Sequence, residues 1–479
     1  MSIANAISNA MSGLVATARG TETVAANLAN VMTPGYARRE LAIGPQLAGG
    51  GVHINGITRI VNASLLSESR LATSAVGDIS NRAAFFRRME GVVGLPGEDG
   101  ALSTALTNFR NALGSAATRP DDEIRLTEVV NAASALTSRL NSASDAVQAA
   151  RGTAQQAIAS DVAILNASLE RVAHLNARIS ILDADGKDAS PLLDERQQVI
   201  DRIAEIVPVQ EVARDRNKVA LFTSEGAVLL DGSVPAKIGF QGAQQVTVDQ
   251  TVGAPLNLLT LNGTALTSGQ MRLVGGGSLA ANFAIRDELA PQLQQELDAL
   301  AFDLHQRLAT ADPTLGAADA GLFTDNGARA TPADVAGLAG RLALNASADP
   351  AQGGAAWRVR AGLQAASGDP VGQTAVLNSL AGSLDAVAPV PAGTGAEGEG
   401  TLMSRFSTVE SRVVTLRVGA EGDLAIRSSR LSTISSSLMG EGVDSDAEMQ
   451  RLLQYEQSYA ANARVLRAVD EMINQILGM

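Results

Sequence analysis

Residues 26–36 read ANLANVMTPGY. A helical stretch carrying Asn27 and Asn30 runs straight into Thr33-Pro34-Gly35-Tyr36. Pro34 followed by Gly35 suits the two central positions of a type II turn, and the residue before a proline is pushed out of helical geometry. The helix therefore ends near Asn30 to Met32. Upstream, Ile3, Ile7, Met11, Leu14, Ala18, Ala25, Leu28 and Met32 recur at intervals of three, four or seven, which is one helical face over residues 3–32.

The other end of the sequence carries a matching stripe. Leu452, Tyr455, Tyr459, Asn462, Leu466, Val469, Ile473 and Ile476 alternate gaps of three and four, the 3.5-residue period of a coiled-coil seam. Asn462 is its one amide, and a buried Asn at such a seam fixes register and partner number at a cost in stability. Two terminal helices with matching seams suggest antiparallel pairing with each other and with neighbouring subunits.

Composition narrows what lies between. The chain has 479 residues, 46 Gly, one Trp and only 3% aromatics, so Ala and Leu must supply most of the burial in long, thin helical packing. A net charge of −13 with no basic run argues against nucleic acid or an anionic membrane as partner. Cysteine is absent, which excludes disulfides, thiolate metal sites and a cysteine nucleophile. The amino-terminal stretch has no basic residue before Arg19 and does not read as a Sec signal, and no apolar run is long enough to span a bilayer. A cytosolic protein, or one exported without a cleaved signal, is expected.

Helical periodicity covers 62–95, 101–118 and 121–185, the last as one long bundle helix with Gly152 as the candidate break, where the apolar stripe shifts by one position. A further helix opens with Ser190 as N-cap and Pro191 at its first position, with Asp194 and Glu195 favoured by the helix dipole, and Pro208 ends it. From Val209 the period changes to two, with turns at Asp215-Arg216-Asn217, Glu225-Gly226, Asp231-Gly232 and Asn262-Gly263. The expected architecture is mainly α with a smaller β domain. Terminal helices (1–40 with 443–479) form a coiled coil, an α-rich bundle comprises 41–207 with 276–330 and 398–442, and a β-rich domain covers 208–275. A mixed outer segment, 331–397, leads into a Pro/Gly-rich linker at 388–400.

Candidate chemistry is thin. His53, His174 and His305 are far apart in sequence and read as surface or packing residues, and Asp194 and Glu195 point in different directions on a helix. GGGS at 275–278 lacks the Lys-Ser/Thr of a phosphate loop and reads as a hinge, and DADGKDAS at 183–190 lacks the spaced acids of a calcium loop. No catalytic, cofactor or metal residue is assigned.

The two ends resemble the bacterial flagellar rod, hook and hook-associated axial proteins. The matching residues are SGL at 12–14, then Asn27, Asn30, Thr33, Pro34, Gly35 and Tyr36, and at the other end Gln454, Tyr455, Tyr459, Ala460, Asn462 and Ala463. Within that family, SPLLDERQQVIDRIAEIVPVQ followed by the β segment and then GSLAANFAIRDELAPQLQQ resembles the hook-associated protein 1, or FlgK, type. The resemblance implies a non-enzymatic, extracellular structural subunit at the hook–filament junction, exported unfolded by the flagellar type III system, with no cofactor. It also implies that the terminal helices are axial and the β-rich domain outer. Its implied partners are copies of itself in a helical ring, hook protein below, a second junction protein and flagellin above, and an export chaperone. The implied assembly interface is Ile7, Leu14, Asn27, Leu28, Asn30, Thr33 to Tyr36, Leu452, Tyr455, Tyr459, Asn462, Leu466, Val469, Ile473 and Ile476. A hook or distal rod subunit, a secreted enzyme carrying flagellar ends and a cytosolic coiled-coil scaffold are the alternatives.

Overall fold

The computed structural model describes residues 3–33, 35–46, 50–252, 255–394 and 398–478. The chain begins with α1 (Ile3–Ala29) and a ribbon of β1 (Arg39–Pro45) and β2 (Val52–Arg59), and then builds α2 (Ala63–Val93), α3 (Leu102–Thr118), α4 (Glu123–Ala184) and α5 (Ser190–Ile206). Pro34 lies outside the described residues. Gly35 has φ +76°, and the Tyr36 N–H donates to the Thr33 carbonyl at 3.2 Å, closing the turn that stops α1.

The 62 residues of α4 run unbroken through Gly152, about 90 Å at 1.5 Å per residue. The one-position shift in its stripe marks a change of neighbours, not a break. Up to Ala154 the buried apolar side chains of α4 belong to the bundle core with Leu106 and Phe109 of α3, from Ile158 to Val172 they belong to a second core with Ile200 and Ile203 of α5, and Leu175 and Ile179 form a small cluster with Ala189. Ser190 is the first residue of α5 and Ala189 its cap, so Pro191 falls one position later than the sequence suggests.

The second core is closed by β3 (Val209–Ala213), β4 (Val219–Thr223), β5 (Val228–Asp231) and β6 (Val234–Pro235), an antiparallel sheet in sequence order. Short strands follow: β7 (Ile238–Gly239), β8 (Thr251–Val252), β9 (Pro255–Leu256), β10 (Thr260–Leu261) and β11 (Thr264–Ala265), with β11, β10 and β7 forming a second small sheet. Asn262 and Gly263, at φ +52° and +83°, make the tight turn between β10 and β11.

After a 3₁₀ turn, α6 (Gly277–Ala284) passes through one π-helical turn at Ile285–Leu289 into α7 (Ala290–Ala311). Pro291 has no N–H to give, and the ladder widens just ahead of it. GGGS is a packing notch, since a Cβ on Gly277 would lie 2.2 Å from the Ile206 carbonyl oxygen. Beyond α7 come β12 (Phe323–Asp325), α8 (Leu338–Arg341), β13 (Leu342–Leu344), α9 (Trp357–Ala361), α10 (Ala375–Asp385), β14 (Ala388–Pro389), β15 (Glu399–Gly400), α11 (Leu402–Gly440) and α12 (Ser445–Leu477).

Phe323, Leu338, Leu342, Leu377 and Leu380 are buried in the same core as α3, α4 and α7. The expected linker is tied down at both ends, because β14 pairs with β15 and Arg307 donates to the Gly400 carbonyl at 3.0 Å. The α3 N-terminus lacks a local side-chain cap; Glu410 of α11 accepts from the Ser103 N–H at 2.6 Å instead, with burial pushing that carboxyl above its usual range. Among the described residues, no helix is long and apolar enough to cross a membrane and no cluster of His, Asp and Glu could hold a metal.

Candidate assembly site

Three layers, one heptad apart, set α1 against α12. Gly13 faces Asn462, Gly20 faces the Tyr455 ring, and Asn27 faces Glu448. Each step of seven along α1 is matched by a step of seven back along α12, so the helices are antiparallel in a single register. A Cβ on Gly13 would lie 2.6 Å from Asn462 Nδ2, and one on Gly20 would lie 2.4 Å from Tyr455 Cζ. Each glycine in a helix interior costs about 1 kcal/mol relative to alanine, and here that loss is offset by the notch that seats a larger side chain. The buried hydroxyls between them are satisfied within α1, as Thr17 Oγ1 donates to the Gly13 carbonyl and Thr23 Oγ1 to the Arg19 carbonyl.

The third layer is polar and fully buried. Asn27 Oδ1 accepts from the Tyr36 hydroxyl at 2.8 Å and the Arg39 N–H at 3.0 Å, while its Nδ2 donates to the Arg39 carbonyl at 2.8 Å and Glu448 Oε2 at 3.0 Å. Both donors and both acceptors of the amide are used. Its paired bonds to one residue's N–H and C=O copy a strand partner, so Asn27 joins α1 to β1 while holding α12. Burial pushes the Tyr36 phenol above its usual pKa, against the pull of Arg39, and keeps it a donor. Arg451 Nη1 reaches the other Glu448 oxygen at 3.1 Å, and Arg451 Nη2 meets Glu40 at 2.9 Å.

This junction is bolted to the body through Asp194. Arg39 and Arg59 stand directly opposite each other across the ribbon, a repulsive pair without a counter-ion. Asp194 of α5 accepts from Arg39 Nη2 at 2.8 Å and Arg59 Nε at 2.7 Å, and it also takes the Ala37 N–H at 3.3 Å. The helix-dipole account of Asp194 is therefore incomplete: it is a buried bridging carboxylate. Glu195 pairs with Arg171 on α4. Gly35 is required twice, for its positive φ and because a Cβ would come 2.7 Å from Gln198 Cγ on α5.

The apolar stripe on α1 lies largely off the face that α12 covers. Met11, Ala18, Ala25 and Met32 are exposed, Met32 at 89%, and Ile7, Leu14 and Leu28 are half-buried. The covered row is Ala10, Gly13, Ala16, Thr17, Gly20, Thr23, Val24 and Asn27, because only small side chains let the helices approach this closely. On α12, Leu452, Tyr455, Asn462, Leu466 and Ile473 are half-buried and Val469 is buried, whereas Tyr459 and Ile476 stay 50% and 60% exposed. Asn30 and Thr33 are used locally, Asn30 Nδ2 donating to the Ala26 carbonyl and Thr33 Oγ1 to Asn30 Oδ1.

Three family models fall on the chain in order. A model of flagella basal body rod proteins matches residues 7–36, the FlgK helical domain of flagellar hook-associated proteins matches 86–312, and the C-terminal model of flagellar basal body rod FlgEFG proteins matches 434–479. Together these matches support a FlgK-type, flagellar hook-associated protein. The proteins it resembles are flagellar structural hook-associated proteins. Flagellar hook-associated protein 1 of Salmonella typhimurium is 25% identical over 242 residues, covering 48% of this chain and 43% of that protein. The chain thus matches less than half the length of that relative. The Bacillus subtilis protein of the same name is 20% identical over 506 residues, covering 95% and 94%. The flagellar hook junction protein FlgK from Burkholderia pseudomallei superposes with a TM-score of 0.45 at 20% identity, over 54% of this chain and 46% of that one.

Proposed function

We propose that this FlgK-type chain forms the ring at the hook–filament junction, outside the cell, after export through the flagellar type III system without a cleaved signal. Copies of the chain pack through α1 and α12, with hook protein below, a second junction protein and flagellin above, and a chaperone during export. The axial unit is 1–40 with 443–479, the bundle surrounds it, and 208–275 faces outward. The observation that carries this reading is the apolar surface the terminal segments leave uncovered: Met11 and Val15 on α1, Met32 in the turn just beyond it, and Leu453, Tyr459, Val465 and Ile476 on α12. Covering such apolar surface is favourable by roughly 25 cal/mol per Å², and neighbouring copies would supply the cover.

Tyr459→Asp tests it, since Tyr459 is exposed in the single chain and its replacement leaves the intramolecular layers intact. The variant is expected in the culture medium as a folded monomer while hooks stay bare and flagellin leaks unpolymerised. Normal capping of hooks, or retention in the cell, overturns the reading.

A further inference from the structure

The segment after α7 is fastened to that helix by α7 side chains that reach backbone groups. Asp298 accepts from the Gly337 N–H at 2.7 Å and the Ala339 N–H at 2.8 Å, and Arg307 donates to the Ser383 carbonyl at 3.1 Å. His305 makes the same kind of attachment with an imidazole, a side chain that changes charge in mild acid. It is 1% exposed, with Nδ1 2.8 Å from the Phe323 carbonyl oxygen and Nε2 3.2 Å from the Ala330 nitrogen. A carbonyl can only accept and an amide N–H can only donate. The neutral tautomer with its proton on Nδ1 satisfies both.

A second proton would sit on Nε2 and point at the Ala330 N–H, replacing a hydrogen bond with two opposed donors in a buried site. We propose that His305 is an acid-operated latch that holds residues 323–330 on α7 at neutral pH and releases them in mild acid. Arg329 and Asp325 are the charged groups acting on the ring, and Asp325 is already engaged by Arg341 at 2.9 Å. Burial is the main force lowering the proton affinity of the ring; Arg329 adds to it, and the Phe323 carbonyl and Asp325 oppose it. The closed state therefore binds fewer protons than the open one, so its stability is complete above the free-imidazole value of about 6.5 and falls as pH drops below it. Burial pushes the Asp298 carboxyl upward against the Ala339 and Gly337 N–H bonds it accepts, so its shift has the opposite sign.

The test is hydrogen exchange with mass spectrometry on the full chain at pH 7.5 and 5.5, corrected for intrinsic rates. Peptides over 323–330 are expected to lose about tenfold in protection one unit below the imidazole value while α4 peptides do not change. His305→Gln retains a donor and an acceptor without a titrating proton, and its 323–330 protection is expected to be independent of pH. Unchanged protection in the unmodified chain, equal opening of α4, or the same acid loss in His305→Gln each overturns the latch. If His305→Gln does not fold, the unmodified chain still decides through the contrast between 323–330 and α4.

Discussion

The bundle core and the terminal helix pair solve the same problem with different materials. In the bundle, Leu126, Leu136, Leu140 and Val147 of α4 are all 0% exposed and are enclosed by Phe109, Leu297, Leu304 and Phe406 from other helices. In the terminal pair, Val24 and Val469 are the large apolar side chains fully covered, and the remaining register comes from two glycine notches and one amide. A filled core holds itself; a pair built on notches and one polar layer specifies alignment but buries little. That balance fits the proposed assembly, in which neighbouring copies would complete the pair.

The largest expected effect follows from this contrast. Leu136→Ala should lower the stability of the body by about 2–5 kcal/mol, because a cavity opens in a core that cannot collapse around it. Leu466→Ala, on the half-buried face of α12, should leave the main transition nearly unmoved. Calorimetry of both variants checks the pair of outcomes, and equal losses would mean that the terminal helices are part of the same cooperative unit as the bundle.

The sequence shows the first of these regions better than the second for a physical reason. The stripe on α4 is legible because its buried residues are large and apolar, so hydrophobic periodicity and burial coincide. On α1 they separate: the buried row is mostly Gly, Ala and Thr, and the large apolar residues that define the period are exposed or half-buried. The turn at Thr33 to Tyr36 was readable because proline and glycine constrain φ locally. Asp194 was not, because the two arginines that require it are 155 and 135 residues away in sequence and only the fold brings them together. Glu410 capping α3 from α11 is hidden in the same way.

A smaller effect tests whether the notches set the register. Gly20→Ala places a methyl group against the Tyr455 ring, and the helices must part or slide, at about 1–3 kcal/mol confined to the terminal pair. Tyr455→Ala in the same chain should recover much of the loss, because the added methyl then has room. Hydrogen exchange in α1 and α12 is the readout. Two losses that simply add would show that Tyr455 and Gly20 do not act as one contact.

The smallest effect concerns Gly152, the residue that sequence reading marks as a break in α4. It lies in the helix interior without a positive φ, and a Cβ there would meet nothing within 4 Å. Neither reason for keeping a glycine applies in the folded chain, since no close approach and no left-handed backbone is involved. Gly152→Ala should then raise stability by about 0.4–1 kcal/mol, chiefly by removing conformations from the unfolded chain, with no change in the native structure. The gain belongs to α4 at the point where its side chains pass from the bundle core to the sheet core, so it should appear in the thermal transition of the body and leave exchange in α1 and α12 untouched. A loss of stability would mean that α4 bends at Gly152 in solution, and the bundle and sheet cores would then have to be treated as bodies joined by a flexible link instead of one continuous rod.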